Sequence, residues 1–189
     1  MEIFVVSGLP RSGTSMMMRM LKAGGLPLVE DGQRTADEDN PHGYFELEAV
    51  KALNRDTGWL DGAKGKVVKV ISQLLYDLPT EHTYRVVFMR RHIDEIVASQ
   101  REMLRRNGKT TTPEEDQEIR RLSIQHLNEI IDWLAKQPNM KVLYVNYARA
   151  GEPASIEALR NFIPVELDEP AMKAAIDARL YRNRHAPAG

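Results

Sequence analysis

The segment that most limits how this chain can fold is a glycine-bounded loop between an apolar strand and a helix near the N-terminus. Ile3–Val6 is a short, β-branched apolar run, which predicts a buried strand. Residues 8–13 form the loop, and Thr14–Ala23 is predicted to be a helix that ends at two glycines. The backbone N–H groups of such a loop and the positive end of the helix dipole converge on one point, so the segment predicts an anion-binding site.

The residue types in this loop differ from those of a nucleotide triphosphatase. Gly8 and Gly13 have the G-x-x-x-x-G spacing, but Thr14 stands where such a loop carries its lysine. The long cation comes earlier instead, at Arg11. The alternative is a tight strand-to-helix turn with a solvent-exposed arginine. The glycines, the hydroxyls, the cation and their position between strand and helix together favour the anion site.

The ends of the other predicted strands lack the acidic residue that phosphoryl transfer from ATP normally uses to help hold magnesium. The pairs that follow these strands are basic, amide or hydroxyl in character: Arg90–Arg91, Asn146–Tyr147 and Ser72–Gln73. We therefore expect an anion that is recognised without a metal.

Apolar strands alternate with helices along the rest of the chain. Further strands are predicted at residues 26–29, 67–71, 84–89 and 141–145, and helices at 45–56, 93–104, 113–136, 155–162 and 170–178. A capping signature at residues 112–115 opens the longest helix. This alternation predicts an α/β, P-loop-type three-layer fold with a central, mostly parallel sheet flanked by helices.

The composition narrows the class of protein further. A length of 189 residues with 42% hydrophobic residues predicts a single domain over 1–189, with a C-terminal tail from about residue 179 that we expect to be flexible. The net charge of -1 argues against a nucleic-acid partner. No apolar run approaches the roughly 20 residues of a membrane helix, and the N-terminus does not resemble a secretory signal. We expect no membrane association and a cytoplasmic protein; without cysteines or paired histidines, we expect no metal site.

The loop resembles the 5′-phosphosulfate loop of the sulfotransferase superfamily, which is often written P-[KR]-S-G-T-[ST]. The matching residues are Pro10, Arg11, Ser12, Gly13, Thr14 and Ser15. The resemblance implies that these residues bind the donor cosubstrate of that superfamily, 3′-phosphoadenosine 5′-phosphosulfate (PAPS).

A second motif of the same superfamily is an arginine at a strand end, followed eight residues later by a serine on the next helix. Arg91 and Ser99 have this spacing. The resemblance implies that this pair binds the 3′-phosphate of the donor. The chain departs from the family pattern at His92–Ile93, where the family usually has Asn or Asp followed by Pro. The alternatives are a surface ion pair for Arg91 and a small packing residue for Ser99.

Weaker similarities extend the resemblance over nearly the whole chain. Residues 40–46, with the sequence NPHGYFE, look like the NPxGYFE stretch of small bacterial members. Residues 142–147, Phe162 and residues 177–184 resemble the tail of the same group. Within that tail, the resemblance implies that Arg182 contributes to donor binding.

Two cationic side chains are candidates for stabilising charge during the reaction, Arg11 and Lys69. Lys69 is a polar residue inside the apolar run 67–71, and burying an unpaired ammonium is costly. Either Lys69 lies at a sheet edge with its ammonium in water, or it faces an anion. We favour the second interpretation.

The general base is less evident. Cytosolic sulfotransferases have a histidine two residues after the corresponding lysine, and that position here is Ile71. Other branches use a glutamate, so Glu46 is our candidate. The alternative is a glutamate at a helix N-terminus that the helix dipole favours. His42, on a predicted loop, is a further candidate. His126 falls on the apolar stripe of its predicted helix, which indicates packing.

The sequence therefore predicts a sulfotransferase that moves a sulfuryl group from PAPS to a hydroxyl or amine of a small-molecule or carbohydrate acceptor. Two alternatives stay open: a small nucleotide or metabolite kinase on the same scaffold, and a non-catalytic nucleotide-binding module that has lost its base. We expect loops 31–43 and 105–113 to form the acceptor walls; no motif identifies the acceptor or the oligomeric state.

Overall fold

The central feature of the computed structural model is a sheet of five parallel strands in the order β2-β3-β1-β4-β5. The structure describes residues 1–38 and 40–181. The strands are β1 (Ile3–Gly8), β2 (Leu28–Val29), β3 (Val67–Lys69), β4 (Tyr84–Arg90) and β5 (Met140–Asn146). The α-helices are α1 (Thr14–Ala23), α2 (Ile93–Arg106), α3 (Pro113–Leu134), α4 (Pro153–Phe162) and α5 (Glu169–Ala174).

Alternating side chains of the strands build a hydrophobic core on each face of the sheet. Phe4 and Val6 of β1 point to one face, where they pack in a cluster with residues of α1, α4 and α5. Ile3 and Val5 point to the other face, toward α3 and the 3₁₀ segments. Because both faces are covered, β1 is apolar at nearly every position rather than alternating. These two cores confirm the predicted three-layer α/β fold.

Short 3₁₀ segments, rather than a long helix, cover part of the second face. They span Glu48–Ala52, Gly58–Ala63 and Ser72–Asp77, with two later ones at Tyr147–Arg149 and Ala178–Leu180. The predicted helix at 45–56 is therefore wrong. The chain enters this region through Phe45 with a φ of 52°, which is left-handed, and Leu47 is extended, so a regular helix cannot begin before Glu48.

The sheet order places the anion-binding loop beside the end of β4. β1 pairs with β3 on one side and with β4 on the other, and Gly8 lies opposite Met89. After β1 the chain forms β2 and β3 on one side of that strand, and then crosses to form β4 and β5 on its other side. In open α/β sheets, ligands bind at the carboxyl ends of the strands at such a switch point.

The loop approaches its neighbours so closely that only glycine fits at its end. Gly13 has a φ of 98°, and a Cβ there would lie 2.2 Å from Cδ2 of Tyr147. Gly25 has nearly the same φ, 99°, but no described atom lies within 4 Å of its Cβ position. The two glycines therefore separate the cost of the backbone conformation from the cost of the contact.

We predict that Gly13→Ala destabilises the fold more than Gly25→Ala. Both should lose about 1–2 kcal/mol from the left-handed backbone, and Gly13→Ala should lose a further 1–3 kcal/mol or so because Tyr147 must move. Urea unfolding of both variants measures the difference. Equal losses, or a Gly13→Ala loss that persists undiminished in a Tyr147→Ala background, would contradict the contact.

Candidate active site

A cavity of about 470 Å³ opens at the carboxyl ends of β1, β3 and β4. It is lined by predicted site residues from four segments: Pro10, Arg11, Gly13, Thr14, Ser15, Glu46, Lys69, Arg91 and Ser99. Ser12 does not line the cavity, because its hydroxyl is buried within the loop, close to Gly8. Arg182 lies outside the described residues. The structure thus brings nearly all of the predicted donor and catalytic residues to one place.

The loop presents unpaired backbone donors to this cavity. Gly13 precedes α1 in a left-handed conformation, and no side chain of the described residues caps the helix. The first N–H groups of α1 have no intrahelical acceptor, and Gly13, Thr14 and Ser15 all line the cavity. Hydrogen-bond donors and the positive end of the helix dipole therefore face the same space, which suits a phosphate-like anion.

Arg11 links the loop to α2. Its φ of 69° is unusual for a residue with a side chain, and it directs the guanidinium toward Ser99, where Nε donates to Oγ at 3.0 Å. In the other direction, Nη1 of Arg91 donates to the backbone carbonyl of Arg11 at 3.0 Å. The two predicted motifs therefore contact each other directly.

Arg91 is enclosed rather than exposed. Its Nε donates to Glu95 at 2.9 Å, and both side chains are almost fully buried. The guanidinium lies 4.6 Å from the ring centroid of Tyr147 and 5.6 Å from that of Tyr181, whose hydroxyl donates to Glu95. These contacts order the guanidinium of Arg91 beside the loop, although Glu95 already offsets its charge.

Lys69 lies on an interior strand, so the sheet-edge alternative does not apply. Its ammonium is 3.0 Å from a carboxylate oxygen of Glu46, 2.9 Å from the carbonyl of Tyr44 and 3.2 Å from Oγ of Ser15. Glu46 also accepts from Nη1 of Arg34 at 3.1 Å. The two predicted catalytic residues thus form one buried network that reaches the first turn of α1.

The network shifts the pKa values of both of its central members. Burial raises the pKa of Glu46, but the positive charges of Lys69 and Arg34 outweigh burial and lower it overall. Burial lowers the pKa of Lys69 more than Glu46 raises it, and Arg34 and Arg11 add to the lowering. Glu46 is therefore held ionised at neutral pH, while Lys69 releases a proton more easily than an exposed lysine.

The segment before Glu46 is held in an unusual backbone conformation. Arg11 and Phe45 are the residues other than glycine with positive φ in the described chain. Arg11 lines the cavity, and Phe45 lies between Tyr44 and Glu46, which both line it. The Tyr44 hydroxyl donates to Asp37, and burial together with that bond raises the pKa of Tyr44 to about 12. Arg34 stacks on the Tyr44 ring with its guanidinium carbon 3.4 Å from the centroid. Residues other than glycine with a left-handed backbone are often concentrated at functional sites.

Of the two histidines considered from the sequence, His42 lies near the cavity and His126 lies on α3, on one face of the sheet. His42 Nε2 lies 3.1 Å from Asp177, which lines the cavity, so the loop that carries His42 contacts the C-terminal region. His126 Nε2 lies 2.9 Å from Oγ of Ser72, and its ring packs edge-on against Tyr76. His126 therefore packs as the sequence predicts, whereas His42 lies at the rim of the site without lining it.

Among the described residues, four cations that line the cavity were not singled out from the sequence: Arg19, Arg34, Lys51 and Arg106. Arg19 lies four residues after Ser15 on α1, so the helical period places both on one face. The sequence signal that could have identified Arg19 is a single arginine within the apolar run MMMRML, one helical turn after Ser15. Arg34 lies in the predicted acceptor loop, which had no motif to single it out.

The two predicted acceptor loops form part of the cavity wall, through Arg34, Asn40 and Arg106. Residues of helices and 3₁₀ segments form most of the rest of the wall.

Within residues 1–38 and 40–181, no three His, Cys, Asp or Glu side chains are grouped so that they could hold a metal ion. In the same part of the chain, no helix is long and apolar enough to cross a membrane.

Comparisons with known proteins support the fold. No protein-family model matches the sequence, and no curated protein sequence is similar to it. Among solved structures, the chain is similar to a sulfotransferase domain from the curacin biosynthetic pathway, with a TM-score of 0.51 at 13% sequence identity. The superposition covers 94% of this chain and 78% of that domain. At this identity the similarity shows a sulfotransferase-like fold.

We predict that Glu46→Gln destabilises the protein because it leaves Lys69 without its carboxylate partner. The loss should be about 2–3 kcal/mol at pH 7, the scale of leaving a buried charge incompletely paired. In a Lys69→Met background the same substitution should cost much less. A double-mutant cycle from urea unfolding measures the coupling, and equal losses in both backgrounds would contradict the network.

The same variant predicts a pH dependence with a definite sign. Because the pKa of Glu46 is lowered in the folded protein, the ion pairs stabilise the fold above the ordinary value of 4.5, and this stabilisation is lost as the pH falls through the lower folded value. The stability difference between wild type and Glu46→Gln should therefore be constant around neutral pH and shrink below 4.5.

Proposed function

We propose that this chain is a sulfotransferase that uses PAPS as donor and a hydroxyl or amine of a small-molecule or carbohydrate as acceptor. The observation that carries the proposal is the convergence of three groups on one cavity: the uncapped loop with Arg11, the Arg91–Ser99 pair, and the Lys69–Glu46 pair. The similarity of fold to a sulfotransferase domain supports the same proposal.

The residues present fit a bisphosphorylated nucleotide with a sulfonated phosphate. The backbone N–H groups at the start of α1 and the guanidinium of Arg11 would hold the anionic end of the donor. Ser99 and Arg91 would hold a second phosphate, once Ser99 exchanges its bond from Arg11 for one to the ligand. The donor supplies a sulfuryl group, whose bond to the nucleotide phosphate breaks as a bond to the acceptor oxygen or nitrogen forms.

Lys69 and Arg11 would stabilise the charge that gathers during this exchange. Lys69 is bonded to Ser15 at the start of α1, so its ammonium is fixed beside the loop before any ligand arrives. A charge that is fixed in advance needs no reorganisation during the reaction, which is the main source of electrostatic stabilisation in enzymes. The lowered pKa of Lys69 also permits it to give a proton to the departing phosphate oxygen.

Glu46 would accept the proton that leaves the acceptor. Its carboxylate lines the cavity and is held ionised by Lys69 and Arg34, so it can act as a base at neutral pH without first losing a proton. The two ion pairs also weaken it as a base. Glu46 would therefore accept the proton as the bond from the acceptor to sulfur forms, when that proton is most acidic, while Lys69 stays in place beside the loop.

Titration with nucleotides tests this proposal against its alternatives. Calorimetry should show that the wild-type protein binds 3′-phosphoadenosine 5′-phosphate, the desulfated form of the donor, equally well with and without a chelator, because arginine, lysine and backbone donors hold the anion. ATP with magnesium should bind more weakly. A strict magnesium requirement, together with tighter binding of ATP, would contradict the proposal and favour a kinase.

A further inference from the structure

Among residues 1–38 and 40–181, seven cationic side chains line the cavity: Arg11, Arg19, Arg34, Lys51, Lys69, Arg91 and Arg106. Six of them hydrogen-bond to another side chain. Lys69 and Arg34 bond to Glu46, Arg91 to Glu95, Lys51 to Glu48, Arg106 to Glu102, and Arg11 to the Ser99 hydroxyl.

Arg19 differs from the other six. Within the part of the chain that the structure describes, its guanidinium forms no hydrogen bond or ion pair, and its Nε is buried without an acceptor. The carboxylate that acts on it electrostatically, Asp177, is already bonded to His42 and to Arg179. Burial lowers the pKa of Arg19 more than Asp177 and Tyr147 raise it, but an arginine stays charged at any working pH.

The position of Arg19 indicates which part of the cavity it serves. Arg19 lies one helical turn after Ser15 on α1, and long side chains on a helix lean back toward its N-terminus, here toward the loop. Tyr147, which lies near enough to Arg19 to affect its pKa, also lies against Gly13 and Arg91. Arg19 is thus grouped with the residues of the loop and of the β4–α2 motif. The apolar wall from Val50, Leu74 and Met103 belongs to other segments.

An incompletely paired, half-buried guanidinium lowers the stability of the folded chain. Such a group is retained when a ligand supplies its partner. We propose that Arg19 binds a phosphate ester of the donor nucleotide, as a positioning residue that neither of the two motifs contains. This inference rests on the proposed function. The planar guanidinium would donate two parallel N–H bonds to phosphate oxygens, without displacing any existing partner.

Calorimetry and melting curves on Arg19→Gln and Arg19→Lys test this inference. Arg19→Gln should bind 3′-phosphoadenosine 5′-phosphate about 10- to 100-fold more weakly, the scale of one charge-assisted contact, and Arg19→Lys should recover part of the loss. Without ligand, Arg19→Gln should melt at the wild-type temperature or above it, because it removes a charge that lacks a partner. A structural role would instead lower the melting temperature.

The matched control is Arg121→Gln, on the solvent face of α3. Arg121 is 60% exposed and pairs with Glu118 on its own helix, so its substitution makes the same change in net charge outside the cavity. Its nucleotide affinity should equal that of the wild type. Adenosine 5′-phosphate and adenosine 3′-phosphate then identify the phosphate: the nucleotide whose affinity is insensitive to Arg19→Gln lacks the phosphate that Arg19 holds.

The outcomes separate this inference from the proposed function. If the wild type binds the bisphosphate and Arg19→Gln binds it equally well, or if Arg19→Gln melts earlier and loses affinity in proportion to its unfolded fraction, the role of Arg19 is overturned. If the wild type binds no nucleotide, the proposed function fails. Melting curves with inorganic pyrophosphate then test Arg19. If pyrophosphate raises the melting temperature of the wild type but not of Arg19→Gln, anion binding at Arg19 is supported. If it raises neither melting temperature, or both equally, anion binding at Arg19 is contradicted.

Discussion

The hydrogen bond from Arg91 to the backbone carbonyl of Arg11 is the contact on which the geometry of the site depends. It joins the loop after β1 to the end of β4, two segments that the sheet order makes neighbours. At this contact Arg11 has a left-handed backbone conformation, from which its side chain reaches Ser99 on α2. Because Glu95 and two tyrosine rings fix Arg91, the loop is held by a group that cannot itself move freely. The anion cradle is thus organised before a ligand binds, which reduces the ordering cost of binding.

The opposite wall of the cavity is organised by burial of a charge. Lys69 ends an interior strand, where an ammonium without partners would be costly, and the chain supplies Glu46, the carbonyl of Tyr44 and the hydroxyl of Ser15 around it. Supplying them requires the left-handed backbone at Phe45, which turns the chain so that both neighbours face Lys69. Arg11 and Phe45, the residues other than glycine with positive φ in the described part of the chain, thus serve the two halves of one site. Strain at such positions is kept where function needs the resulting geometry.

Much of this architecture could be predicted from local patterns in the sequence. The β-branched runs, the glycine loop and the Thr112 capping box specify strands and helices through short-range physics, and the structure has them close to the predicted positions. The prediction of a helix at 45–56 rested on Leu47, Val50 and Leu53, which are three residues apart, and this spacing also suits a 3₁₀ segment. The positive φ of Phe45 has no signal in the residue types. The pairing of Lys69 with Glu46 depends on long-range packing, which periodicity does not encode. The same is true of Arg19, whose Nε has no acceptor among the described residues.

Transfer of a labelled sulfuryl group tests the central claim most directly. The protein would be incubated with PAPS labelled in its sulfuryl group and with panels of phenols, alcohols, amines and carbohydrates, and labelled products would be separated from the donor. The account predicts a labelled acceptor formed in step with the desulfated nucleotide. It also predicts a loss of about a hundredfold in Arg11→Ala, the scale of one preorganised charge, without an earlier melting transition. A protein that binds the donor tightly but labels no acceptor in any panel, or an Arg11→Ala variant that transfers at the wild-type rate, would contradict the account.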